Sequence, residues 1–128
     1  MANSKVPLIT SVILVTLESF PPKLWVSVIG RAPTPGWGKT GYLSPYFYFV
    51  PPQDGIYEFE FIADSSPHEI VASEAETEIR ASCIIDPIPA GLAGVKVYGE
   101  SNYKTALYAE SVTGSLVLLK GTGSSGGG

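Results

Sequence analysis

A chain of 128 residues has room for one hydrophobic core, and a domain of this size buries roughly two-thirds of the surface its unfolded chain exposes. The net charge is −4 and the eight basic residues are scattered, which argues against nucleic acid as a partner and against a basic membrane-surface helix, since both need clustered Lys and Arg. No stretch approaches the ~20 apolar residues of a spanning helix, and Cys83, the single cysteine, excludes an intrachain disulfide.

Residues 8–17 are β-branched and apolar on both faces, as expected of a strand covered on both sides, and Phe20-Pro21-Pro22 ends it because proline has no N–H to donate. The run before it, Met1 to Lys5, carries one positive charge and no small-residue cleavage site follows, so it reads as the approach to a first strand and not as a secretion signal. The compartment stays open, with the cytoplasm as the default. Residues 24–31 alternate, with Leu24, Val26 and Val28 on one side and Trp25, Ser27, Ile29 and Arg31 on the other, which is a second strand. Ala32 to Gly41 holds two prolines and three glycines and reads as a structured loop. A third strand is expected at Tyr46–Val50, stopped by Pro51-Pro52, with Gln53-Asp54-Gly55 turning into the next.

The clearest period-two signal is at 56–63. Tyr57, Phe59, Phe61 and Ala63 are expected to face a core, and Glu58 and Glu60 to face water. Segment 69–85 fits two periods. Val71, Ala75, Ile79 and Cys83 would line a helical stripe, whereas alternation puts Val71, Ala75, Thr77, Ile79, Ala81, Cys83 and Ile85 inward and Glu74, Glu76, Glu78, Arg80 and Ser82 outward. The strand reading, with a bend near Ser73–Glu76, agrees with the β pattern on either side. Asp86 to Gly91 is a loop, and further strands are expected at Val95–Tyr98, Thr105–Ala109 and Ser115–Lys120. Seven or eight short strands separated by turn residues point to one all-β domain over residues 1–120, an antiparallel β-sandwich of immunoglobulin-like form, with Gly121–Gly128 a flexible Gly/Ser tail.

In this order, Pro33-Thr34-Pro35-Gly36-Trp37, then Pro51 to Phe61 (Pro-Pro-Gln-Asp-Gly-Ile-Tyr-Glu-Phe-Glu-Phe), then Gly94-Val95-Lys96-Val97-Tyr98, resemble a small group of uncharacterised bacterial β-sandwich proteins. The resemblance spans most of residues 8–104, implies an independent small domain, and brings no activity, ligand or site with it.

Candidates for catalysis are few. His68 is the sole histidine, in a loop-like stretch after Pro67, and catalysis would also need a nucleophile and an orienting partner. Cys83 is expected to face the core, where a thiol is inert, and one His with one Cys cannot supply a zinc site. The acidic residues Glu69, Glu74, Glu76 and Glu78 read as a solvated face guarding an edge, ahead of paired catalytic carboxylates or a calcium site. Gly38-Lys39-Thr40 has the ending of a phosphate loop, but Pro33 stands where its first glycine belongs. No cofactor is implied.

Aromatic residues carry more weight. Trp37, Tyr42, Tyr46 and Tyr48 gather in and after the Pro/Gly loop, and Tyr98, Tyr103 and Tyr108 gather late in the chain. Such rings serve as anchors on binding surfaces, while the commoner fate is packing, with Trp37 capping the core. The reading is a non-catalytic binding or protein-interaction module. The alternative is a small ligand- or glycan-binding or inhibitor domain that uses the Pro33–Gly41 loop, and an enzyme ranks third. Charged residues are only 16% of the chain, against about 25% in typical domains, and Trp25 and Ile29 point outward, so a homo-oligomer, most simply a dimer, is expected.

Overall fold

A computed structural model of the chain describes residues 3–65 and 75–114. His68, the acidic residues Glu69 and Glu74, the strand expected at Ser115–Lys120 and the Gly/Ser tail lie outside the described residues.

The described residues form nine strands and no α-helix. In chain order they are β1 (Asn3–Lys5), β2 (Leu8–Leu17), β3 (Lys23–Ala32), β4 (Tyr42–Pro45), β5 (Ile56–Asp64), β6 (Thr77–Ile85), β7 (Gly94–Tyr98), β8 (Tyr103–Leu107) and, after a single 3-10 turn at Tyr108–Glu110, β9 (Val112–Gly114). Two sheets face each other. In the first, β5 pairs with β4, β1 and β7, and β7 pairs with β8; the second runs β6-β3-β2-β9. The sandwich is mixed and not purely antiparallel as expected, because β5 and β7 run parallel, as do β2 and β9. Both parallel pairs join strands far apart in sequence, so no hairpin turn could have announced them.

Period two decides which side chains meet. Leu24, Val26 and Val28 of β3, Phe59, Phe61 and Ala63 of β5, Ile79 and Ala81 of β6, and Val95 and Val97 of β7 all lie in one buried core. The strand reading of the ambiguous segment holds for 77–85, where Thr77, Ile79 and Ala81 are buried and Glu78, Arg80 and Ser82 are exposed; Ala75, expected inward, is exposed just before the strand starts. Two-sided cover of β2 is only partial. A bulge between Ile9 and Ser11 shifts the register, after which Leu14, Val15 and Leu17 are buried and Ile13 is exposed.

The expected strand at Tyr46–Val50 forms four residues earlier, at Tyr42–Pro45. Pairing with β5 ends at Pro45–Phe59, and only the Tyr46 N–H still reaches the ladder, donating to the Glu58 carbonyl at 3.0 Å. Beyond it the chain leaves the sheet as a loop. At the other end of the sequence, Thr105–Ala109 resolves into the end of β8 and the 3-10 turn.

The Phe61 ring sits where the chain changes sheets. A Cβ placed on Gly30 of β3 would lie 2.8 Å from one edge carbon of that ring, and one placed on Gly41 would lie 2.9 Å from another. Val6, which leads the chain from β1 to β2, is buried at the same point, and its N–H donates to the Phe61 carbonyl. Truncating a fully buried aromatic ring leaves a cavity that β-sheet backbones cannot collapse around. Phe61→Ala is therefore expected to cost about 3–5 kcal/mol in urea unfolding, while Glu78→Ala, on the exposed face of β6, stays within about 0.5 kcal/mol. Similar costs for the two would contradict this assignment of faces.

Candidate functional site

The outer face of the first sheet is where aromatic and charged residues converge. Alternation aims Phe59 and Phe61 inward, so Glu58 and Glu60 must point outward, and the parallel register with β7 sets Glu58 beside Lys96 and Glu60 beside Tyr98. β8 then places Tyr103 opposite Tyr98. Neither glutamate is simply solvated as expected; both are half-buried beneath tyrosines.

Glu58 is the hub. Tyr98 Oη donates to its Oε2 at 2.5 Å and Tyr48 Oη to its Oε1 at 3.0 Å, while the Glu58 backbone N–H donates back to the same Tyr48 hydroxyl at 3.0 Å. That last bond has a local cause. Where β4 stops, the Glu58 N–H has lost its strand partner, and a hydroxyl from two residues down the loop replaces the missing carbonyl. Tyr46 Oη donates to Glu60 Oε2 at 3.3 Å, and Lys5 Nζ pairs with the same oxygen at 3.5 Å. The rings also touch: Tyr46 lies 5.8 Å from Tyr98, Tyr98 5.9 Å from Tyr103, and Tyr48 meets Tyr57 edge-on at 5.7 Å. Lys96 Nζ stands over Tyr103 at 4.0 Å and over Tyr98 at 5.0 Å, a cation held against two rings.

This network fastens the loop after β4 by alternate residues. Tyr46 and Tyr48 are bound down to the sheet, so Phe47 and Phe49 project into solvent, 95% and 110% exposed, followed by exposed Val50. Four of the chain's aromatic side chains in a row are thus divided, two as fasteners and two as display.

Of the expected site residues, Tyr46 and Tyr48 come together with Tyr98 and Tyr103. Tyr42 stands apart, exposed on β4 opposite Ile62. Trp37 does not belong to this surface. It is half-buried against the core, with its indole N–H donating to Thr34 Oγ1 at 3.3 Å. The loop that carries it is laced to its surroundings: Gly38 N–H donates to the Asp64 carbonyl, Arg80 N–H to the Lys39 carbonyl, Gly41 N–H to the Arg80 carbonyl, and Thr77 Oγ1 to the Thr34 carbonyl. Cys83 faces inward, half-buried, and burial pushes its thiol up to about 11. Among the described residues no group of His, Cys, Asp and Glu has the arrangement of a metal site, and no helix is long and apolar enough to cross a membrane.

The residues of this surface that the sequence did not single out as a site are Glu58, Lys96, Phe47 and Phe49. Parity on β5 and β7 marked Glu58 and Lys96 as outward, but nothing local marked the two strands as neighbours. In the sequence Phe47 and Phe49 read as apolar residues of a strand at Tyr46–Val50, with nothing to mark them as exposed.

Comparison with protein-family models, with curated proteins and with solved structures finds no match to this chain.

Burial, and beyond it the hydrogen bond to the Glu58 carboxylate, raise the Tyr48 hydroxyl from 10.0 to about 12, outweighing the opposing effect of the Glu58 N–H; Tyr98 is raised by its bond to Glu58 and by burial. A raised folded-state value means that the protonated phenol contributes stability in full below pH 10 and loses it as the pH climbs towards 12. Tyrosinate absorbance is therefore expected to show a late-ionising fraction, and Tyr48→Phe to remove part of the stability loss in that window. Co-titration of all seven tyrosines near pH 10 would contradict the network.

Proposed function

We propose that this protein is a non-catalytic protein-interaction module that offers Phe47, Phe49 and Val50 to apolar pockets on a partner protein. The observation that carries the reading is the pairing of full exposure with fastening: Phe47 and Phe49 stand clear of the fold, while Tyr46 and Tyr48 between them are hydrogen-bonded to Glu60 and Glu58. Exposed aromatic side chains are the residues that dominate binding energy once buried in a partner, and a loop already held in place loses little conformational freedom on binding. Residues two apart on an extended segment project about 6–7 Å apart, which sets the spacing of the complementary pockets.

The charges support a protein partner over an anionic surface. Glu58 and Glu60 lie under the loop and Asp54 closes it, while the nearby cations are engaged, Lys5 with Glu60 and Lys96 with two rings, so the loop itself carries no positive charge to attract phosphate or acidic lipid. The Pro33–Gly41 loop carries no part of the proposal, since its tryptophan is turned towards the core.

Peptides selected by phage display against the intact protein supply a probe. Amide shift changes are expected to centre on residues 46–50, and Phe47→Ser/Phe49→Ser is expected to lower affinity at least 100-fold, the loss of two anchors at about 1.4 kcal/mol or more each. Binders that map to Trp37 or to the second sheet, and survive the double substitution, would overturn the proposal. Co-flotation of the protein with phosphatidylcholine vesicles, abolished by the same substitution, would transfer the loop from a protein partner to a membrane interface.

A further inference from the structure

Among the described residues β6 is an edge strand of the second sheet, and a neighbouring segment pairs with its open side at one position. The segment 39–41 runs beside it at one point, where Arg80 receives the Gly41 N–H at 2.9 Å and donates to the Lys39 carbonyl at 3.0 Å. Both main-chain groups of Arg80 therefore point away from β3. Because such groups alternate along an antiparallel ladder, those of Ser82 and Ile84 point the same way. At Gly41 the protecting chain turns off to become β4 of the other sheet, so nothing in the described structure follows β6 beyond Arg80.

The uncovered stretch also lacks the usual safeguards. The charged residues Glu78 and Arg80 lie at or before the bridged position, whereas Ala81-Ser82-Cys83-Ile84-Ile85 beyond it has no charge and no proline. Elsewhere β8 carries Lys104, β4 ends in Pro45, and β1 and β9 are three residues long. Along the same open side the two sheets part into an apolar cleft of about 320 Å³, lined by Leu43, Pro45, Tyr57, Phe59, Cys83 and Ile85.

We infer that this edge is completed by a second copy of the chain, β6 pairing antiparallel with β6 about a two-fold axis through Cys83. Parity selects that register. Outward-pointing residues must meet outward-pointing residues, so Ser82 of one copy pairs with Ile84 of the other, which makes four interchain hydrogen bonds and brings the two Cys83 residues face to face as a non-bonded pair. Neither a shorter nor a longer overlap fits as well, since the window is bounded by the 39–41 segment at Arg80 and by Pro87, which has no N–H. The same register sets Arg80 of each copy across from Asp86 of the other, opposite charges whose partners within one copy are Glu78 and Lys23. The second copy's Ala81 and Cys83 then close the mouth of the cleft, and the four-stranded sheet becomes a continuous sheet of twice that size.

Sedimentation velocity of the full chain from micromolar to millimolar concentration tests this. A monomer–dimer equilibrium is expected, together with amide exchange at Ser82 and Ile84 that slows at least tenfold as the dimer forms. Ser82→Pro removes a donor used only between copies, and Ser82→Lys adds a charge to the edge; either variant that keeps the native circular dichroism is expected to remain monomeric. A monomer at every concentration would overturn the inference, as would exchange at Ser82 and Ile84 that does not depend on concentration. A dimer lost in Phe47→Ser/Phe49→Ser but retained in Ser82→Pro would also overturn it, placing self-association on the loop proposed above; failure of that loop to bind peptides leaves the edge untouched.

Discussion

The Phe61 ring is the peg on which the sandwich hangs. It is fully buried between β3 and two of the places where the chain crosses from one sheet to the other, at Val6 and at Gly41, and it fits only because Gly30 and Gly41 present no side chain to its edges. A methyl group on either glycine would also meet a main-chain carbonyl, that of Leu8 from Gly30 or that of Ile62 from Gly41, so the crowding has no easy relief. Once this ring is inside, period two leaves no freedom along β5. Phe59 and Ala63 go inside with it, and Glu58 and Glu60 go out.

What happens on the outer face follows from that constraint. Two glutamates in the middle of a sheet, each flanked by strands, need donors, and the tyrosines of the β4–β5 loop and of β7 supply them. The loop is thereby tied at Tyr46 and Tyr48 and displays Phe47 and Phe49. The core, the polar network and the exposed phenylalanines are successive consequences of one strand's register. Within this network the carboxylates accept from tyrosine hydroxyls and Lys96 stands over aromatic rings.

The all-β class, the faces of β3, β5 and β6, and the inward turn of Cys83 were legible in the sequence because period two is a local signal. Three features were not. The parallel pairings of β5 with β7 and of β2 with β9 depend on contacts between distant residues. Tyr46 to Val50 has the composition of a strand, but Pro45 ends the ladder and the hydroxyl of Tyr48 takes over a main-chain bond, which propensity alone cannot foresee. Trp37 and Tyr48 look alike as loop aromatics, yet one is packed on the core and the other is fastened to a carboxylate, and only the neighbours supplied by the fold distinguish them.

The claim on which the rest turns is that Glu58 and Tyr48 hold each other, so that β5 governs the loop. A double-mutant cycle of Glu58→Ala and Tyr48→Phe, read by urea unfolding, tests it most directly. The account predicts a coupling of about 1–2 kcal/mol, the range of a hydrogen bond to a charged group, with the second substitution costing much less once the first is made. Costs that add to within about 0.3 kcal/mol would mean that the two residues do not hold each other, and would contradict it.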